Sequence, residues 1–280
     1  MSVIIGIDVG GSTTKIVGFS EDRQLIEPIF VHAADPITSV YGAFGKFMTE
    51  NKLTLEDVDC VRITGVGAER VGSSIFDLPC THVSEFHSFG SGGLYISGLD
   101  RAIVVSMGTG TATAIAQRRD YGGVSVSYLG GTGVGGGTLM GLSRKMLSMN
   151  SIEHIIELAK EGDLSRVDLQ VADISAANGL PGNMTASNFG KLSDVATNAD
   201  IALGIINMIF ETVAMISIFA ARNYQTKDIV LTGNLTDVPQ AKGIFAGLSA
   251  LFDMNFILPP HSQYATVIGA ALSHFEHDEA

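Results

Sequence analysis

Cysteine is nearly missing from this sequence and tryptophan is missing entirely: Cys60 and Cys80 are the two cysteines in 280 residues. Neither a Cys-x-x-Cys pair nor a nearby pair of histidines accompanies them. The spacing therefore indicates neither a disulfide framework nor a zinc site, and two reduced thiols in a cytoplasmic protein are the expectation. Positive charge is the second scarcity. Lys and Arg number 17 against 29 Asp and Glu, a formal charge of −12, and without clustered cations there is no electrostatic footprint for nucleic acid or an anionic membrane. Charged residues reach only 16% against 46% hydrophobic ones, which excludes a disordered or fibrous chain. The opening residues enter a strand at once, without the basic flank and long apolar stretch of an export signal. The one long apolar run, 201–221, contains Asn207 and Glu211. A carboxylate at mid-run is costly in lipid, so the run reads as a buried helix at a core or subunit interface.

Glycine, by contrast, is plentiful at 33 residues, and it gathers where hydroxyls follow apolar β-branched runs. Asp8-Val9-Gly10-Gly11-Ser12-Thr13-Thr14-Lys15 follows the run 3–7, and Ser106-Met107-Gly108-Thr109-Gly110-Thr111 follows 102–105. Each reads as strand, tight turn, strand. Glycine lets a backbone approach a ligand closely, and exposed N–H groups and hydroxyls donate to phosphate oxygens. A single such turn says little; two predict a clamp on a polyphosphate.

Around these hairpins the pattern predicts a β-meander over 3–34, a helix over 37–51, a strand over 58–64 and a helix after Glu85. A second meander follows over 102–128, then a glycine loop from Gly130 to Leu142 that opens a helix, and helices over 151–161 and 188–222. A strand over 228–232, a helix over 238–251, a strand over 255–258 and a helix over 265–275 complete the chain. Two similar α/β lobes with a cleft between them are expected, residues 1–99 and 100–280.

Asp8, where the first strand meets its turn, suits either a hydrated Mg²⁺ or an Asx turn. Gly10, Gly11, Ser12 and Thr13 suit phosphate, and Lys15 either joins them or is a solvated strand residue. Gly108, Thr109, Gly110 and Thr111 offer the same from the second lobe, or form a tight hairpin with no ligand. Gly135, Gly136 and Gly137 precede a helix, whose N-terminus favours an anion. Gly233-Asn234 ends an apolar strand, as an adenosine site or a plain turn. Glu85 alone reads as a first-turn acid of its helix.

Taken in order, the two hairpins and Leu231-Thr232-Gly233-Asn234 resemble the two phosphate motifs and the adenosine motif of the acetate kinase, sugar kinase, heat-shock ATPase and actin superfamily. That resemblance implies two ribonuclease-H-like lobes around a central nucleotide cleft, the actin-like ATPase fold. Ser84-Glu85-Phe86, Gly130 through Leu142, and Gly179 through Gly190 are similar to segments of the type II pantothenate kinases, over nearly the whole chain. The likeness implies an ATP-dependent, Mg²⁺-dependent kinase that phosphorylates pantothenate as a homodimer. It implies Glu85 as general base and places Tyr128, Gly131, Thr132, Ala186 and Asn188 at the acceptor.

One position departs from that family. Tyr128 stands where an arginine usually meets the substrate carboxylate, and a phenol hydrogen-bonds a carboxylate without neutralising it. Either Arg118, Arg119 or Arg144 compensates, or the acceptor lacks the carboxylate, as pantetheine does. Among rivals, a sugar kinase of the zinc-binding group lacks its Cys and His cluster here. An iron–sulfur dehydratase activator needs cysteines near the motifs, and an actin-like assembly protein has no use for Glu85.

Overall fold

The computed structural model describes residues 2–11, 13–32, 35–120, 122–174 and 181–276. Its elements begin with the strands β1 (Val3–Val9), β2 (Thr13–Ser20) and β3 (Leu25–His32), helix α1 (Pro36–Glu50), strands β4 (Val58–Thr64), β5 (Ser74–Ile75) and β6 (Leu78–His82), and helix α2 (Glu85–Ser97). Then come β7 (Arg101–Met107), β8 (Thr111–Arg118), β9 (Val124–Thr132), α3 (Gly136–Leu147), α4 (Ile152–Ala159), β10 (Leu169–Gln170), the short α5 (Val171–Ile174) and β11 (Thr185–Ser187). The last part holds α6 (Asn198–Asn223), β12 (Asp228–Thr232), α7 (Pro239–Phe252), β13 (Asn255–Ile257) and α8 (Ala265–Glu276).

The first sheet runs β3-β2-β1-β4-β6-β5 and the second β13-β12-β7-β8-β9. In each, an antiparallel three-stranded meander continues into two parallel strands beside its first strand. The doubled hairpin is thus the visible part of a doubled sheet. The central strands β1, β7 and β12 are near-continuous Val and Ile because both of their faces are covered. Val3, Ile5, Ile7 and Val9 pack toward α1, and Ile103, Val105 and Met107 pack toward α6.

The other face of each sheet is covered by a helix from the opposite half of the chain. Phe89 and Leu94 of α2 pack on Ala102, Val104, Ala114 and Val230 of the second sheet. Val267, Ile268 and Ala271 of α8 pack on Val17 and Phe19 of the first. The expected boundary between 99 and 100 therefore separates the two sheets, and these two helices cross it. They pass each other with backbone almost touching. A Cβ on Gly92 would stand 1.8 Å from the Ala265 carbonyl oxygen, and one on Gly269 would stand 1.8 Å from that of Ser88.

Two local expectations are corrected. The helix expected from 188 starts at Asn198, because 185–187 pairs as β11 with β10 and Thr197 caps α6. The Thr197 hydroxyl accepts from the Asp200 N–H and the Asp200 carboxylate accepts from the Thr197 N–H. β9 also extends to Thr132, so Gly130 and Gly131 belong to the strand rather than to a loop. Among the described residues α6 is the one helix long and apolar enough to span a membrane. Ile205, Ile206, Ile209, Phe210, Val213 and Ile218 make it the spine of the second lobe's core.

Gly92→Ala or Gly269→Ala is expected to destabilise the protein by roughly 1–3 kcal/mol, because the backbone of the crossing helix cannot yield. Gly45→Ala, on the exposed side of α1 with open space around its Cβ position, is expected to be neutral or slightly stabilising. Urea denaturation of the three variants checks this.

Candidate active site

Asp8, the last residue but one of β1, pairs with Lys15 of β2 on one side and Thr64 of β4 on the other. The Gly10 N–H donates to the Thr13 carbonyl at 2.9 Å and closes the first turn; Ser12 lies outside the described residues. Burial raises the pKa of Asp8 from 3.8 to about 6; the Lys15 ammonium opposes the rise and the negative charge of Glu85 adds to it. Lys15 is not the solvated strand residue that the sequence left open. It is buried, and its Nζ donates to Asn234 Oδ1 and to the Gln263 carbonyl, each at 2.5 Å. Burial lowers its pKa against the pull of Asp8 and Asp237. A cation from the first sheet is thereby held by the strand end expected to carry adenosine. Beside that strand end a cavity of about 270 Å³ opens, lined in part by Thr236, Asp237, Leu258, Pro259 and Tyr264.

In the second hairpin the Gly108 N–H donates to the Gly110 carbonyl at 2.9 Å, and the Thr111 hydroxyl donates to the Val134 carbonyl at 2.8 Å. The glycine loop docks directly onto this turn. The N–H groups of Gly136 and Gly137 donate to the carbonyls of Gly108 and Thr109, both at 2.8 Å. This corrects the expectation of an anion at these amides: two N–H groups of the α3 N-terminus are already paired. Glycine is needed there for close approach, since a Cβ on Gly135 would stand 2.7 Å from the Thr109 carbonyl oxygen. Gly233 N–H donates to the Ser262 carbonyl at 3.0 Å, and Thr236 donates back to Gly233.

Glu85 is the first residue of α2, exposed at its N-terminus, and partial desolvation raises its pKa. Phe86, beside it, stacks on Tyr128 of β9 with ring centroids 4.2 Å apart and planes 25° apart. Tyr128 therefore sits next to the candidate base. Gly131 is close by, its Cβ position 3.2 Å from the Tyr128 hydroxyl, and the Thr132 hydroxyl accepts from the Val134 N–H.

Ala186 and Asn188 lie elsewhere. They line a groove of about 390 Å³ with Glu211, Met215 and Phe219 of α6, and Asn188 Nδ2 donates to Glu211 Oε2 at 2.9 Å. Because α6 and α2 cover opposite faces of the second sheet, a single chain does not unite these two residues with Tyr128. Of the segment 179–190, Gly179 and Leu180 lie outside the described residues. The candidate compensating arginines are also displaced. Arg118 pairs with Val124 at the far end of the β8–β9 ladder and meets Asp100; Arg119 follows it; Arg144 Nε donates to Asn150. Asp237 and the Gln263 carbonyl join the site without a sequence signal, since only tertiary packing brings them there; Phe86 belongs to the family-like segment 84–86, but its stacking partner is not legible in the sequence.

Two sheets of the same topology, each presenting a glycine hairpin beside the crossing helices, define an actin-like ATPase fold. Similar solved structures include the (R)-2-hydroxyglutaryl-CoA dehydratase component A of Acidaminococcus fermentans, with a TM-score of 0.68 at 17% identity over 98% of this chain and 97% of that one. A glucokinase of the ROK family from Streptomyces griseus has a TM-score of 0.58 at 14% identity over 99% of both chains. The profile of the Fumble family matches residues 102–272, and the chain belongs to that family. Relatives include the type II pantothenate kinase of Oceanobacillus iheyensis, 27% identical over 96% of this chain and 98% of its own length, and that of Bacillus cereus, 29% identical over 84% of each.

The Asp8 shift has a sign that can be measured. Between pH 4 and 6 the unfolded chain ionises this carboxyl while the folded one retains its proton, so stability falls as pH rises. Across that window the wild type is expected to lose about 3 kcal/mol or less relative to Asp8→Asn, from a pKa of 3.8 rising to about 6. Urea denaturation at pH 4 and pH 6.5 measures the difference.

Proposed function

We propose that the chain is a type II pantothenate kinase, which transfers the γ-phosphoryl group of ATP to the primary hydroxyl of pantothenate and so begins coenzyme A synthesis. The observation that carries the reading is the pair of carboxylates beside the glycine hairpins, Asp8 and a Glu85 close enough for its charge to raise the pKa of Asp8. Phosphoryl transfer asks mainly for positioning and charge neutralisation, with a base for the attacking hydroxyl. The first hairpin (Gly10, Gly11, Ser12, Thr13) and the second (Gly108, Thr109, Gly110, Thr111) hold the phosphates. Gly135, Gly136 and Gly137 brace the second hairpin, and Gly233 and Asn234 border the adenosine. Lys15 keeps the two sheets in register across the nucleotide.

The Asp8 carboxylate fits Mg²⁺, being a hard oxygen donor whose burial leaves its negative charge short of compensation. When bound, the ion neutralises the β and γ phosphates. Glu85 takes the hydroxyl proton as that oxygen bonds to phosphorus, the bond to the β-phosphate oxygen breaks, and ADP leaves. A raised pKa brings this carboxylate closer to the range of an effective general base. Phe86 and Tyr128 form the acceptor wall together with Gly131 and Thr132.

The aromatic wall also favours a second reading. A phenol stacked on Phe86, where a cationic side chain would meet an acceptor carboxylate, suits a neutral acceptor, pantetheine, better than it suits an anion. Assays of ADP release with pantothenate, pantetheine and N-acetylglucosamine separate these readings. Turnover with pantothenate is expected; no response to either of the first two would overturn the reading. Glu85→Gln is expected to lower turnover by about 10²–10⁴-fold while nucleotide binding persists; near-normal turnover removes Glu85 from the role.

We further infer a homodimer in the cytoplasm, joined along the outer side of α6. Phe219 there is 59% exposed beside Met215 and Ile216, which line the same groove as Ala186 and Asn188. Dimerisation would give those two residues a place near an acceptor bound to the partner. Phe219→Glu is expected to yield a monomer in sedimentation equilibrium, whereas an unchanged dimer places the interface elsewhere.

A further inference from the structure

Away from the nucleotide cleft, at the opposite end of β4 from Thr64, the first sheet and the crossing helix α8 share a cluster of donors. Asp59, Cys60 and His274 each offer one atom, and these atoms all lie within 4.8 Å of one another. Cys60 Sγ stands 3.5 Å from His274 Nδ1.

Consecutive strand residues normally point to opposite faces. Here the β1–β4 register steps from Val3↔Val58 to Ile4↔Cys60, which leaves Asp59 unpaired as a bulge. A bulge re-aims side chains, and this one brings a carboxylate and a thiol together facing α8. Arg62, two residues on, lies on the same face with Nη2 3.2 Å from His274 Nδ1. Arginine only donates, so Nδ1 accepts from it through its one lone pair, and a metal at that nitrogen displaces the Arg62 contact.

We propose that Asp59, Cys60 and His274 bind one divalent cation of the zinc class, stapling α8 to the first sheet. One thiolate, one imidazole and one carboxylate, completed by water, is a tetrahedral zinc donor set. The two anionic ligands offset the charge of the ion. Burial raises the pKa of the Cys60 thiol, and metal binding releases the thiol proton to solvent as the metal–sulfur bond forms. The nearby Arg62 guanidinium opposes a cation and sets the affinity below that of a closed four-ligand site.

Titration of the purified protein with Co²⁺ tests this, read by thiolate-to-cobalt charge-transfer absorption in the near ultraviolet. One cobalt per chain is expected, displaced by Zn²⁺, with Zn²⁺ raising the melting temperature. Cys60→Ser and His274→Ala, checked for folding by circular dichroism, are expected to lose both signals. Cys80→Ser, whose thiol packs in the core under α1, is expected to keep them. Absence of the absorption band in the wild type, or its survival in Cys60→Ser or His274→Ala, overturns the proposal.

Discussion

Where α2 crosses α8, backbone meets backbone, and the arrangement of the whole chain follows from that contact. Each helix comes in sequence from one lobe and covers the sheet of the other. The contact is possible only because Gly92 and Gly269 present no side chain to the carbonyls opposite. It also sets the site, since Glu85 is the first residue of α2 and is therefore fixed by packing against the second sheet while lying beside Asp8 of the first. A helix that covered its own sheet would not carry its first residue to that seam.

Electrostatics at the seam point the same way. Asp8, Glu85, Lys15 and Asp237 are gathered where water is partly excluded, so burial raises the acids and lowers the lysine. Such an arrangement costs stability in the free protein, as is common where pKa values are tuned for chemistry. Lys15 illustrates the double use of one residue. Its stem runs in a strand of the first sheet, and its ammonium joins that sheet to Asn234 and Gln263 of the second lobe.

Much of this was legible in the sequence because it is local. Turn glycines after β-branched runs marked both hairpins. The repetition of meander and helices pointed to two similar α/β lobes, while the strand order within each sheet came only from the structure. What escaped reading depends on contacts between distant segments. The glycines at 135–137 look like an anion site until their amides are seen paired with the second hairpin. Ala186 and Asn188 lie in the family-like segment 179–190 expected at the acceptor, yet they line the groove on α6. Likewise nothing near Cys60 in sequence announces His274, which lies 214 residues away, and only a bulge turns Asp59 toward it.

The aromatic pair Phe86–Tyr128 stands where the resemblance to the type II pantothenate kinases leads one to expect an arginine. On the proposed reading the acceptor lies on the α2 face of the second sheet, near the start of α2. A structure with a non-hydrolysable ATP analogue and pantothenate tests the central claim most directly. The account predicts the γ-phosphate between the two hairpins and the acceptor hydroxyl against the Glu85 carboxylate, with the rest of the acceptor along Phe86 and Tyr128. Pantothenate bound away from Glu85, with its hydroxyl out of reach of the γ-phosphate, would contradict it.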